Sequence, residues 1–350
     1  ISLFLQYITL FFALLLYKYF ILTLHIIRQK EKLMNRILVF VVILLVPIAI
    51  ITSNDQEDDH IIEKDQGNIS LEIPISSEEN ENKEETYQVM LSDNSDKSDA
   101  FAMDLEDYII GVVAGEMPAS FSLEALKAQA VASRTFALYK MESNKDYVLS
   151  TTINDQVYLT QDDMKNKWGN DYEYYYNRVK EAVLDTEGEV LTYNGKLAST
   201  YYFAISNGYT DDALTVFQED RDYLVSVESP WDKDYQSYTS LYTMNKSDFC
   251  SKLEITCGDI QVSQVNRADN HYVREVTING KTFTGIQVFQ KLNLKSTDFT
   301  ITSKGDTVEI QTLGFGHGVG MSQTGADSMA KAGANYEEII KHFYTDVEIK

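Results

Sequence analysis

Glu116 is a carboxylate that the local pattern delivers to an apolar surface. It stands in Gly111-Val112-Val113-Ala114-Gly115-Glu116-Met117-Pro118. Upstream, Leu105, Tyr108, Ile109, Val112 and Val113 recur at helical spacing, and Pro118 ends the run. Eleven residues on from Leu105 the same stripe reaches Glu116. The carboxylate is therefore expected on the apolar face at a helix end. Burial disfavours its charged form and raises its pKa, which suits a general acid near neutral pH. The alternative is a glutamate at a frayed helix end that points to water.

Two further segments hold polar groups in unusual settings. Leu123-Glu124-Ala125-Leu126-Lys127-Ala128-Gln129-Ala130-Val131-Ala132-Ser133-Arg134-Thr135 is rich in alanine, which permits close helix packing. Lys127 and Arg134 are seven apart and share one helix face, which composition alone reads as a solvated surface. In Gly314-Phe315-Gly316-His317-Gly318-Val319-Gly320-Met321-Ser322-Gln323, alternate glycines let the backbone approach a ligand closely. The glycine spacing excludes a dinucleotide fingerprint, and no Lys-Ser/Thr follows as a phosphate loop needs. His317 is either a polar site group or a residue that holds the loop by hydrogen bonds.

Around these segments the pattern is that of an α+β fold. A strand is predicted over Thr86–Leu91, a helix from Asp104 that Pro118 ends, and further helices over 123–141 and 172–184, with Ser122 as an N-cap. Hairpins turn at Asn194-Gly195, Asn279-Gly280 and Lys304-Gly305-Asp306. Asn335-Tyr336-Glu337-Glu338 is a capping box that opens the last helix. Helices and antiparallel hairpins mix without a βαβ rhythm, so one α+β domain is expected over residues 86–350.

The preceding chain differs in kind. Apolar runs cover 1–27 and 37–51, with Met34-Asn35-Arg36 before the second. Residues 1–33 read as an upstream extension or extra apolar segment. Residues 34–52 read as a transmembrane signal anchor, with basic residues before it and acids after it. The following chain is thereby placed outside the membrane. Ser53–Lys97 holds 14 acids and 3 lysines, so the linker over 53–85 is expected to be disordered. The whole chain carries a net charge of −23, with no basic stripe, which argues against nucleic acid as a partner. Cys250 and Cys257 form either a disulfide or two separate thiols.

Taken together, Gly-Val-Val-Ala-Gly-Glu-Met-Pro, Glu-Ala-Leu-Lys-Ala-Gln-Ala-Val-Ala-Ser-Arg-Thr and Gly-His-Gly-Val-Gly-Met-Ser-Gln resemble the SpoIID/LytB domain family, in order, across about residues 86–350. The resemblance implies a lytic transglycosylase that cleaves peptidoglycan between N-acetylmuramic acid and N-acetylglucosamine. It leaves anhydro-muramic ends and uses Glu116 as the catalytic residue. It further implies substrate positioning by Lys127, Gln129, Arg134, Tyr202, Ser206, His317 and Gln323. Phe203, Ala204, Ile205 and Asn207 depart from the family's Ser/Thr-rich stretch, and Thr324 stands where many relatives have Trp. Some relatives bind zinc through Cys and His after the second helix. The stretch Ser150–Tyr158 has neither, so no metal and no cofactor are expected. The implied partners are peptide-stripped glycan strands and a cell-wall amidase such as stage II sporulation protein P, during engulfment. A competing reading is a non-catalytic enhancer of an amidase, a role also found in the family. A third, a tethered wall-binding module, lacks the aromatic repeats it needs.

Overall fold

The computed structural model describes residues 87–92 and 99–350. The segments 1–33 and 34–52, and the linker 53–85, lie outside the described residues. Among the described residues no helix is long and apolar enough to cross a membrane.

Strand β1 (Gln88–Ser92) pairs antiparallel with β2 (Phe101–Asp104) and parallel with β3 (Leu149–Ser150). Helix α1 (Leu105–Glu116) begins where Asp104 accepts the amides of Glu106 and Asp107 at 2.9 and 3.4 Å. Helix α2 (Leu123–Ser143) follows. Its alanines 125, 128, 130, 132 and 137 are fully buried, so four neighbouring helices approach it closely. Ser122 precedes α2 without capping it; its amide and hydroxyl both donate to Asp327 instead. Helix α3 (Gln161–Trp168) is opened by a Thr160/Asp163 capping box, and α4 (Tyr172–Leu184) runs over the predicted residues. Trp168 packs its ring against Tyr172 and Tyr175, at 6.4 and 5.8 Å, and so fixes the end of α3 on α4.

Strands β4 (Leu191–Tyr193) and β5 (Lys196–Leu197) form the hairpin signalled by Asn194-Gly195, both with positive φ. After β6 (Tyr202–Phe203) and α5 (Ala213–Phe217) the chain builds a second core. That core joins β7 (Thr239–Asn245), α6 (Lys246–Leu253), β8 (Val262–Arg267), β9 (Val273–Ile278), β10 (Lys281–Thr284), α7 (Gly285–Leu292), β11 (Phe299–Lys304) and β12 (Thr307–Leu313). Hairpins β9–β10 and β11–β12 are antiparallel as expected, and β7 adds to β12 from far away in sequence. The Arg274 guanidinium on β9 makes two bonds, 2.7 and 2.6 Å, to buried Asp211, tying this core to the first. Cys250 and Cys257 are disulfide-bonded within it.

The chain then returns to the first core through β13 (Met321–Ser322), α8 (Gln323–Lys331), α9 (Tyr336–Phe343) and β14 (Glu348–Ile349). The Asn335/Glu338 capping box opens α9 as predicted. The fold is α+β, with helices and mostly antiparallel sheets. Its short parallel pairs, β1–β3 and β6–β13, were not legible locally because each joins distant segments. The β6–β13 pair needs Gly320, whose φ is +78° and whose Cβ would sit 2.0 Å from the Tyr201 carbonyl oxygen. It lays the glycine loop beside Tyr202.

Candidate functional site

Glu116 is the last residue of α1, and the stripe that carries it is buried as read: Leu105, Tyr108, Ile109, Val112 and Val113 are all core residues. Two glycines on the helix admit another segment. A Cβ at Gly111 would lie 2.1 Å from the Tyr158 ring, and one at Gly115 would lie 2.4 Å from the Val157 carbonyl oxygen. The segment 156–159 therefore lies directly on the α1 backbone. Leu159 N–H donates to the Gly111 carbonyl at 3.1 Å. Val157 N–H donates to Glu116 Oε1 at 2.6 Å. Glu116 is thus held half-buried rather than frayed into water.

Other groups close around the carboxyl. The Tyr202 hydroxyl hydrogen-bonds the Glu116 carboxyl and lies 2.9 Å from Gln156 Oε1, and its single proton serves one of these two acceptors at a time. Gln156 Nε2 donates to the Tyr108 hydroxyl at 3.1 Å. Ser133 hydrogen-bonds Tyr202 from α2, and Gln129 Nε2 donates to Ser133 Oγ at 3.0 Å. Gln323 Nε2 donates to Gln129 Oε1 at 3.2 Å, so a polar chain runs from α8 to the carboxyl. Lys167, at the end of α3, donates from Nζ to the Ala114 carbonyl at 2.9 Å, and its charge acts on Glu116.

Desolvation dominates the electrostatics. It pushes the Glu116 carboxyl up from 4.5 to about 7, against the lowering pull of the Val157 amide, Tyr202 and Lys167. The same burial lowers the Lys167 ammonium from 10.5 to about 8, only partly offset by Glu116. Burial also raises the Tyr108 and Tyr202 hydroxyls, so both remain neutral donors. At neutral pH the carboxyl stands near its midpoint and can both give and take a proton.

The structure brings Gln129, Tyr202 and Gln323 into this network. It places the others elsewhere. Lys127 and Arg134 do share a face, but the face turns to the C-terminal end of α4. Lys127 pairs with Glu124 and Asp185 at 3.2 and 2.9 Å. Arg134 is fully buried, which corrects the surface reading that composition favoured. Its guanidinium clasps both Glu106 oxygens at 2.7 and 2.6 Å and caps the Val183 carbonyl at 3.1 Å. Glu106 begins the helix that Glu116 ends, ten residues or about 15 Å of rise away. Ser206 lies in a separate buried hub, where Asp232 accepts from Ser206, Ser229, Ser322 and Thr324. His317 holds the glycine loop. Its Nδ1 accepts the Val319 amide at 3.1 Å and its ring also hydrogen-bonds the Tyr202 backbone. Enclosed by Tyr201, Phe203 and Phe217, it is held neutral, its pKa lowered by burial to about 4.

Gln156, Val157 and Lys167 are the site residues that the motifs did not mark. Gln156 and Val157 come from a loop without periodicity and Lys167 from the short polar helix α3, and Val157 acts through its backbone. The glycine pair Gly111 and Gly115, four apart on an apolar helix, was the available signal that another chain segment crosses there. Among the described residues no group of three or more His, Cys, Asp or Glu is placed to hold a metal ion.

A family model described as Stage II sporulation protein matches residues 94–193, the stretch that contains Glu116, Gln156 and Lys167. The chain is 42% identical over 253 residues to stage II sporulation protein D of Bacillus subtilis (strain 168), spanning 70% of this chain and 74% of that protein. The chain belongs to the SpoIID family. The corresponding protein of Bacillus amyloliquefaciens is equally similar, 42% identical over 253 residues, with 70% of this chain and 74% of that one covered. The SpoIID likeness extends further to an amidase enhancer of Bacillus subtilis (strain 168), 29% identical over 297 residues. That match covers 67% of this chain but 39% of the enhancer.

Proposed function

We propose that this SpoIID-family chain is a peptidoglycan lytic transglycosylase in which Glu116 serves as both acid and base. Family membership and the similarity to stage II sporulation protein D support a role in the sporulation cell wall. The observation that carries the finer reading is the Glu116 carboxyl itself, half-buried and raised to about 7. A hydrolytic glycosidase needs two carboxylates flanking the bond. Besides burial, the groups that act on the Glu116 carboxyl are the Val157 amide, Tyr202 and Lys167, and none of these three is a carboxylate.

One carboxyl suffices if no water is consumed. Glu116 gives its proton to the glycosidic oxygen as the bond from C1 of N-acetylmuramic acid breaks. The leaving N-acetylglucosamine departs with a free hydroxyl. The Glu116 carboxylate, now stabilised by the Val157 amide and Tyr202, takes the proton of the C6 hydroxyl. That oxygen closes on C1, giving a 1,6-anhydro end and returning Glu116 to its protonated form.

Residues 34–52 would anchor the domain, leaving it outside the membrane at the wall, with 53–85 as a tether. Peptide-stripped strands would be the substrate and a cell-wall amidase the partner. The likeness to an amidase enhancer favours a second reading, a non-catalytic activator. Digestion of purified glycan, with and without an amidase, separates the two. Anhydro-muramic ends made by the chain alone support the enzyme. Stimulated amidase activity without such ends supports the activator.

A further inference from the structure

Lys167 is a half-buried cation that forms no ion pair with a carboxylate among the described residues and feels the charge of Glu116. Most cations around the first core meet a carboxylate: Lys127 has Glu124 and Asp185, Arg134 has Glu106, Lys140 has Asp155, and Arg221 has Glu219. Lys167 instead gives one N–H to the Ala114 carbonyl, 2.9 Å away in the last turn of α1. That turn carries no basic residue of its own, so the ammonium also complements the helix C-terminus. The ammonium has two further N–H groups to give. The side chain is half-buried and is delivered by a rigid support: the α3 capping box, buried Met164, and Trp168 packed on Tyr172 and Tyr175. The acidic group whose charge acts on it is Glu116, which near neutrality is only about half ionised. A partly desolvated ammonium with only a half-ionised counter-charge is costly, and an arriving anion recovers that cost.

We propose that Lys167 forms a carboxylate subsite that recognises the free lactyl carboxylate of an N-acetylmuramic acid unit bound at Glu116. The inference rests on the glycan-cleaving reading above. On a strand without stem peptides, the lactyl carboxylate is the ionised group of each disaccharide repeat. A peptide amide at the same position carries no charge and cannot pair with the ammonium. Lys167 is therefore a specificity-determining residue, which makes the site prefer strands whose peptides have been removed. The bound carboxylate would also keep Glu116 protonated for the first proton transfer, by like-charge repulsion.

The test compares peptide-free glycan strands with the same strands after their lactyl carboxyls are converted to methylamides. Affinity is measured first in a Glu116→Gln protein, where no cutting is needed. The expected preference for the free carboxylate is about tenfold or more, the order of one charge-assisted hydrogen bond. Glu116→Gln/Lys167→Met should lose the preference, through weaker binding of the free strands. Glu116→Gln/Lys167→Arg should keep much of it. Equal affinity of the single variant for both strands overturns the proposal without any change at Lys167. A Lys167→Met variant that folds, by its thermal melt, and keeps the preference also overturns it. So does one that weakens both strands alike. Cutting by the Glu116 protein is scored separately, so a chain that makes no anhydro ends defeats the glycan-cleaving reading while binding still decides the role of Lys167.

Discussion

The Val157 amide reaches Glu116 Oε1 at 2.6 Å only because residue 115 has no side chain. A Cβ there would sit 2.4 Å from the Val157 carbonyl oxygen, closer than packed atoms approach. The same contact brings Gln156 to Tyr108 and Tyr202, and so organises the far wall of the site.

Gly115→Ala should therefore act on chemistry more than on overall architecture. The 156–159 segment must lift from α1, and the carboxyl loses a charge-assisted hydrogen bond of about 1.5–3 kcal/mol. The expected result is a folded protein with a lower melting temperature and at least about a tenfold loss of glycan cleavage. Parent-like cleavage rates would show that the Val157 contact does not matter for turnover.

Arg134 should behave as a structural residue. Removing it leaves Glu106 and the Val183 and Glu189 carbonyls without their buried partner. Breaking such a pair costs about 3–5 kcal/mol. Arg134→Met should lose stability of that order in chemical denaturation, and Arg134→Lys should restore little, because a lysine cannot span both carboxylate oxygens. An Arg134→Met protein with unchanged stability but weakened glycan affinity would return Arg134 to a substrate role.

The pH dependence of stability follows from the raised carboxyl. The folded protein binds the Glu116 proton more tightly than the unfolded chain, about 7 against 4.5. Stabilisation by that proton is full below about 4.5 and is lost as pH rises through about 7. Lys167, lowered to about 8, stays charged across this window in both states and adds no slope there. Glu116→Gln should consequently melt above the parent at pH 8, with the gap shrinking toward pH 4.5. A gap independent of pH would mean that Glu116 is not desolvated.

Much of this arrangement was legible in the residues. The stripe from Leu105 placed Glu116 on a buried face. Asn194-Gly195 and Asn279-Gly280 turned where positive φ was needed, and Asn335 with Glu338 opened the last helix. These signals are local, so the chain states them directly. What was not legible arises between distant segments. Arg134 looks like a surface cation until Glu106, 28 residues earlier, closes on it. Ser122 looks like a cap but bonds Asp327, 205 residues later. Gln156 and Lys167 carry no motif, and Val157 contributes only its amide, which any residue but proline supplies.

The central claim is that one carboxyl at residue 116 gives and recovers the proton. Its most direct measurement is mass spectrometry of the ends released from purified, peptide-stripped glycan in ¹⁸O-labelled water, by the parent and by Glu116→Gln. The parent should release anhydro-muramic ends without labelled oxygen. Glu116→Gln should remain folded and bind glycan, but form those ends about 10²–10⁴-fold more slowly, the span of general acid–base catalysis. Labelled reducing ends from the parent, or anhydro ends from Glu116→Gln at near the parent rate, would contradict the account.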